Sequence, residues 1–204
     1  MSTEGSADLA LIESTLQGDE RAFAELVRRY QAAVWGTVYR MLGRSSENED
    51  VVQEVFLRAF TALCRFDRKC PFGPWLLRIA TNYCIDQLRR RKGRKIQLWS
   101  ELREYEQQRL LRDLAQEGDR ERPGVENTER YASVAQSLLD GLNPKHRAAF
   151  VLREIEDKDY AEVAGLLGTS EVTARVRVSR ARSELQKRFR AYLASLSGKE
   201  GQPS

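Results

Sequence analysis

The stretch from Asp50 to Lys95 limits what this chain can fold into more than any other. Val52, Val55, Phe56, Ala59, Phe60 and Leu63 recur at the three- and four-residue spacing that puts side chains on one face of an α-helix. Asp50, Gln53, Glu54 and Arg58 fall on the opposite face. A short loop, Phe66–Pro71, follows, and Pro71 suits a turn or a helix start. Phe72, Trp75, Leu76, Ile79, Ala80, Tyr83 and Leu88 then line a second helix, with Asn82, Asp86, Arg89 and Arg90 on its more polar sides. The simplest product is a helical hairpin core with a solvated basic end. The same aromatics beside arginines also suit unpaired bases, because rings stack on bases while cations hold phosphates.

The flanking residues continue the helical pattern. Asp8–Leu16 reads as a short helix stopped near Gly18, and Asp19 can cap the next one. That helix carries Phe23, Leu26, Val27, Tyr30, Val34, Val38 and Met41 at helical spacing and ends at Gly43. Ser46 and Glu49 match a capping box for the helix after it. The pattern weakens from Gly93 to about Thr128, which reads as a linker able to form a transient helix around Leu102–Leu114. A second helical unit starts near Glu129 and carries Val134, Leu138 and Leu139. Asn143-Pro144 pairs a cap with proline at the first helical position, and Ala148, Val151, Leu152 and Ile155 follow. Asp159–Glu162 is a second capping box, Gly168 can take a left-handed cap, and Ser170 caps a last, basic helix. No strand pattern interrupts this series. The expected fold is all-α, with two small helical domains on a flexible linker.

Net charge is only +4, but it is unevenly spread. Residues 1–60 hold ten acidic and six basic side chains, whereas Arg89–Lys95 holds six basic residues in seven and Glu171–Arg190 holds seven basic and two acidic. Two separate basic patches on a nearly neutral chain point to a polyanion gripped at two places. The acidic N-terminal part points to another partner surface. No run approaches the ~18 apolar residues of a membrane span. The start shows no charged-then-apolar secretion pattern, so stable membrane insertion is not expected and a cytoplasmic location is. Cys64, Cys70 and Cys84 lack the paired spacing of a zinc site and read as free thiols, with a redox pair Cys64–Cys70 as the alternative.

Asp159–Arg182 has the order of a helix-turn-helix, with helix, tight glycine turn and second helix. The second helix offers arginines to phosphates and to base edges, and an arginine can bond both major-groove acceptors of guanine. No catalytic residues, metal site or cofactor motif emerge: there is no glycine-rich phosphate loop and no nucleophile with an evident base. His146, between Lys145 and Arg147, reads as a surface residue at a helix start. Asp50, Glu54 and Asp86 could serve a metal-dependent nuclease, but an acidic strip facing solvent or a partner explains them more simply.

The runs GDERAFAELVRRY, EDVVQEVFLRAF, the Phe72–Asn82 pattern FxxWLxxIAxN and DQLRRRK resemble the sigma-two domain of bacterial extracytoplasmic-function sigma factors in the sigma-70 family. LNPKHRAAFVLREIEDKDYAEVAGLLGTSEVTARVRVSRAR resembles their sigma-four domain. The likeness covers residues 18–95 and 130–190, in the family's order and with the family's linker between. It implies a sigma subunit, not an enzyme, that binds the beta and beta-prime subunits of core RNA polymerase and directs it to promoter DNA. A stress or envelope response and control by an anti-sigma factor are implied as well. By resemblance, Asp50, Gln53, Glu54 and Phe56 lie on the helix that docks on the polymerase. Phe66, Asp67, Arg68 and Lys69 belong to the loop that captures a flipped minus-ten base, and Asn82, Asp86, Arg89 and Arg90 to the helix that follows that element. Arg175, Val176, Ser179 and Arg180 match positions facing the minus-thirty-five element. Val172-Thr173-Ala174 replaces the family's frequent Gly-Thr-Val, and Val176 stands where a small polar residue is common, so base preferences do not transfer.

The implied organisation is an N-terminal segment (1–17), a sigma-two domain (18–95), a linker (96–128), a sigma-four domain (129–196) and a disordered tail (197–204). Two rivals differ in mechanism. A polymerase-independent helix-turn-helix regulator would bind its duplex unaided. A helical nuclease would cleave DNA in a metal-dependent way.

Overall fold

The computed structural model describes residues 3–101 and 134–197, with side chains over 6–92 and 134–194. All regular structure among them is helical: α1 (Thr3–Leu16), α2 (Glu20–Leu42), α3 (Asn48–Ala62), a single 3-10 turn (Leu63–Arg65) and α4 (Phe72–Glu101). Then come α5 (134–140), α6 (Pro144–Phe150), a π-helical turn (Val151–Ile155), α7 (Tyr160–Leu167) and α8 (Glu171–Ser197). The proposed transient helix at Leu102–Leu114 and the tail beyond Ser197 lie outside the described residues.

The caps form largely where the residues call for them. The Asp19 carboxylate accepts from the Arg21 amide, and Gly43 closes α2 with φ +77, a value that a side chain would strain. The Ser46–Glu49 capping box does not form. Instead α3 starts at Asn48, whose buried amide donates to the Gly43 carbonyl at 2.7 Å, while Ser45 accepts from the Glu47 amide. Asn48 therefore joins the end of α2 to the start of α3. Two boundaries also shift. α1 begins at Thr3 rather than Asp8, and α4 runs through Gly93 to Glu101. One glycine costs a helix roughly 1 kcal/mol, too little to stop one already 20 residues long.

The described helices form two compact units: residues up to Asp86 together with Asn143–Glu184, and Gln87–Leu142 together with the chain from Leu185. Within the first, Leu26, Val34, Val38 and Met41 of α2 are buried, as are Val55 and Ala59 of α3 and Leu76, Ala80 and Cys84 of α4. Each buried Leu, Val or Met side chain among these contributes about 1.5–3 kcal/mol, and the alanines less. Tyr30 and Arg29 bind the buried Asp8 carboxylate, which fixes α1 on α2. A second apolar cluster in this unit joins Ala149, Leu152, Val163, Ala164, Leu166, Ala174 and Val178, the core of α6–α8. In the second unit, Arg188 donates to the Gly141 carbonyl at 2.9 Å and so ties α8 to the turn after α5.

Candidate nucleic-acid and partner interfaces

The outer face of α3 is polar apart from the exposed Leu57 and Phe60. Asp50 and Gln53 are exposed, and Glu54 bonds the Arg58 guanidinium at 2.7 Å. Arg58 in turn lies over the Tyr83 ring, 4.4 Å from its centroid, so α3 and α4 are linked through Glu54, Arg58 and Tyr83. Glu54, Leu57, Arg58, Thr61, Ala62, Cys64 and Arg65 line a shallow groove here. Leu57 is 60% exposed in its midst. The sequence reading missed it, although a leucine four residues after Gln53 and three after Glu54 is an apolar residue on a polar face. Phe56, assigned by resemblance to the docking set, is only 7% exposed. It supports the helix from beneath, where ring burial outweighs any surface role.

The loop between α3 and α4 is held from inside. Phe66 is buried, edge-on to Phe72 at 5.9 Å and to Trp75 at 5.0 Å. It anchors the loop and leaves its ring little surface for a base. Asp67 is exposed; its carboxylate accepts from the Lys69 amide and its carbonyl from the Cys70 amide, a local turn that fixes the tip. Arg68 bonds Glu13 of α1 at 3.0 Å. Along α4, Asn82, Asp86, Arg89 and Arg90 are exposed, whereas Thr81, Cys84 and Ile85 face the core. Cys64 and Cys70 are exposed free thiols and Cys84 is buried.

The helix-turn-helix follows its caps closely. Asp159 and Glu162 bond each other's backbone amides at 2.8 and 3.0 Å, starting α7. Gly168 ends it in the left-handed conformation, φ +58, and Ser170 accepts from the Thr173 amide to start α8. Ala174, Val178 and Ala181 of α8 are buried. The other face therefore presents Val172, Arg175, Val176 and Ser179 as one stripe at positions i, i+3, i+4 and i+7, with Arg180 beside it; all are exposed. Val172, 71% exposed, was noted in the sequence only as a departure from the family pattern. An exposed valine beside arginines suits contact with a thymine methyl group. Arg175 lies over the Tyr160 ring, 4.2 Å from its centroid, and 3.8 Å from Glu171. Arg182 bonds Glu154 at 2.7 Å, which raises its pKa further and spends that arginine within the domain.

His146 departs from the surface reading. It is half-buried, its Nδ1 has no hydrogen-bond partner among the described residues, and desolvation pulls its pKa below 6.5. The nearby Arg177 and Arg180 push the same way, and Glu184 opposes them.

Comparison with known proteins identifies the family. A family model described as Sigma-70 region 2 matches residues 26–94, and one described as Sigma-70, region 4 matches residues 134–185. The chain is 32% identical over 179 residues to the ECF RNA polymerase sigma factor SigW of Bacillus subtilis, covering 88% of this chain and 95% of that protein. This chain belongs to the extracytoplasmic-function sigma factors of the sigma-70 family. SigE of Mycolicibacterium smegmatis, also named as an ECF RNA polymerase sigma factor, is 34% identical over 188 residues, covering 91% of this chain and 68% of that protein. Among solved structures, CnrH in complex with the cytosolic domain of CnrY superposes with a TM-score of 0.58 at 27% identity, covering 91% of this sigma factor and 98% of CnrH. As a member of this family, the chain is a transcription initiation factor rather than an enzyme. The two matched regions contain the α3 face, the loop and α4 surface, and the α8 stripe. Among the described residues, no helix is long and apolar enough to cross a membrane.

Proposed function

We propose that the outer face of α3 docks on core RNA polymerase, the loop and α4 engage the minus-ten element, and the α8 stripe reads the minus-thirty-five element. The observation that carries this division is the sidedness of the helices. α3 buries Val51, Val55, Phe56 and Ala59, α8 buries Ala174, Val178 and Ala181, and each exposes an opposite face of a composition fitted to its partner. Asp50, Gln53, Glu54 and Leu57 combine acidic and apolar character, which suits a basic protein surface with an apolar centre. On α4, Asn82, Arg89 and Arg90 offer hydrogen bonds and charge to a single strand, with Asp86 among them. Asp67 is the accessible residue at the loop tip for a flipped base, and Phe66 and Phe56 act as supports. Arg68 and Lys69 add positive charge beside Asp67. On α8, Arg175, Val176, Ser179 and Arg180 face the duplex, joined by Val172.

Such a factor acts by dividing labour. Each basic patch alone gives salt-dependent, unspecific affinity. Two modules on one chain make the second contact intramolecular, which raises the apparent affinity without any new contact. Unstacking a base costs a few kcal/mol, so a site that holds it can select sequence. The polymerase supplies the chemistry. Because CnrH is similar over most of this chain and was solved with the cytosolic domain of CnrY, we also propose that an anti-sigma protein controls this factor in the cytoplasm.

Two measurements separate the surfaces. Glu54→Arg removes the Arg58 partner and reverses a charge, and it should weaken binding in a fluorescence titration against core polymerase. Asn82→Ala should leave that titration unchanged while reducing permanganate reactivity of unpaired thymines in the minus-ten region. Normal polymerase affinity in the first variant removes α3 from the docking role. Normal opening in the second removes Asn82 from the melting site.

A further inference from the structure

The region 2 match begins at residue 26, so it assigns no role to α1. The sequence likewise set residues 1–17 apart as a segment ahead of the domain. In the fold, α1 supports the loop between α3 and α4. Asp8, Ile12 and Thr15, at positions i, i+4 and i+7, form its buried face. The Tyr30 hydroxyl donates to one oxygen of the Asp8 carboxylate, and Arg29 donates to the other at 3.1 Å. The Tyr30 ring meets Phe72 edge-on at 5.3 Å, and Phe72 meets Phe66, the first residue of the loop, at 5.9 Å. Gly73 permits this approach, because a Cβ there would come within 2.9 Å of Tyr30 Cε1. Asp8, Tyr30, Phe72 and Phe66 thus carry the position of α1 to the root of the loop.

Glu13, next to the buried Ile12, reaches the loop tip. Its carboxylate accepts from Arg68 Nη1 at 3.0 Å, across 55 residues of sequence. Arg68 stands between Asp67 and Lys69, inside the turn that the Lys69 amide closes on the Asp67 carboxylate at 3.0 Å and the Cys70 amide closes on the Asp67 carbonyl at 2.9 Å. The Arg68 and Glu13 side chains are 57% and 53% exposed, so their pair does little for overall stability. Its effect is on direction. An untethered arginine samples several rotamers and attracts any phosphate within reach. Held by Glu13, Arg68 fixes the turn relative to α1, and a loop already ordered loses less entropy when it takes up a base.

We propose that Glu13 is a positioning residue for base capture: α1, anchored through Asp8 and Tyr30, uses Glu13 to hold Arg68, and with it the Asp67 turn, in the capturing geometry. Base choice at the captured position then depends on a helix outside all three proposed surfaces. This role rests on reading the loop as part of the minus-ten site; the tether itself does not. Two effects follow from losing Glu13. The loop must be ordered at the moment of binding, so discrimination between bases falls. Arg68, released, attracts phosphates without regard to sequence, so unspecific binding and salt dependence rise.

The test uses the full chain. In hydrogen exchange without polymerase, Glu13→Ala should speed exchange of the Lys69 and Cys70 amides, and Glu13→Lys, which repels Arg68, should speed it further. Open-complex formation with core polymerase is then measured with all four bases at each minus-ten position. In Glu13→Ala the ratio of best to worst base at the captured position should fall roughly two- to fivefold, with melting temperature and affinity for core polymerase unchanged. The salt slope should steepen by up to about one. Glu13→Gln, which keeps an acceptor for Arg68, should lie between the unmodified chain and Glu13→Ala. The double variant Glu13→Ala/Arg68→Ala should lose no more preference than Arg68→Ala alone. Unchanged exchange at Lys69 and Cys70 overturns the tether. Additive losses in the double variant overturn the action of Glu13 through Arg68. Uniform loss at every position with a lower melting temperature makes Glu13 structural only and overturns the positioning role. Asp67→Ala scores the underlying reading separately. If it leaves every minus-ten preference unchanged, the loop is not the capturing site, and the exchange result stands. If it shifts preference while Glu13→Ala does not, the positioning role is overturned.

Discussion

Replacing Arg175 with alanine probes the recognition stripe most sharply. Arg175 sits just past the first turn of α8, on the same face as Val172, Val176 and Ser179. Arg175 and Arg180, five residues apart, point about 140° apart around the helix, so they cannot both centre on one base pair. Arg175 is nearer the helix N-terminus, the end that enters the major groove first. Loss of a bidentate contact costs roughly 1–3 kcal/mol, about 5- to 150-fold, at a single position. The Tyr160 ring modifies this figure. If the guanidinium stays stacked on Tyr160 in the complex, the full cost applies and Tyr160→Leu weakens binding as well. If the guanidinium must leave the ring, binding forfeits about 0.5–1 kcal/mol. The alanine variant then loses correspondingly less, and Tyr160→Leu binds more tightly. The assay is holoenzyme affinity across single-base variants of the minus-thirty-five region at two salt concentrations. The expected result for Arg175→Ala is relaxed preference at one position with an unchanged salt slope. Uniform loss across all variants, with the slope reduced by about one, would make Arg175 a phosphate contact and refute base reading.

Three further outcomes test the fold beneath these surfaces. Leu152→Ala empties part of the core of α6–α8, where Leu152 is fully buried. It should cost about 2–5 kcal/mol by urea denaturation. Gly168→Ala places a side chain at φ +58 against Arg78 and should cost roughly 1–2 kcal/mol in the same assay. His146 has a folded pKa below its unfolded value near 6.5. Below pH 6.5 the unfolded chain takes up a proton that the folded chain resists, so this contribution to stability is full above 6.5 and is lost as pH falls through the folded value. His146→Gln should flatten the change in melting temperature between pH 7 and pH 5, and an unaltered pH dependence would show that desolvation at His146 is not its source.

Helices and caps were legible because they depend on neighbours in sequence. Asp19, Asn143, Asp159, Gly168 and Ser170 each act within four residues, and each forms its expected cap. The failure at Ser46 is instructive: the Gly43 carbonyl needed a donor, and Asn48 supplied it, so the start of α3 was set by the end of α2. Aromatics were misleading for a similar reason. Phe56 and Phe66 lie among DNA-facing and partner-facing residues, but ring burial against Phe72 and Trp75 prevails for Phe66 and the core claims Phe56. Leu57 and Val172 were the converse, exposed apolar residues: helical spacing does put Leu57 on the polar face of α3, whereas Val172 stood out only as a departure from the family pattern. The π-helical turn and the Arg68–Glu13 pair had no local signal, since a five-residue hydrogen bond and a long-range ion pair leave no period in sequence.

Transcription in vitro with bacterial core RNA polymerase and a library of promoters tests the central claim most directly. Core polymerase alone should start without promoter selection. With the full chain added, transcripts should arise from a defined subset sharing two separated elements, and the chain alone should bind those duplexes weakly and without comparable selectivity. Tight, specific duplex binding by the isolated chain, with no promoter-specific transcripts when polymerase is added, would contradict the account and favour a regulator that acts without polymerase docking.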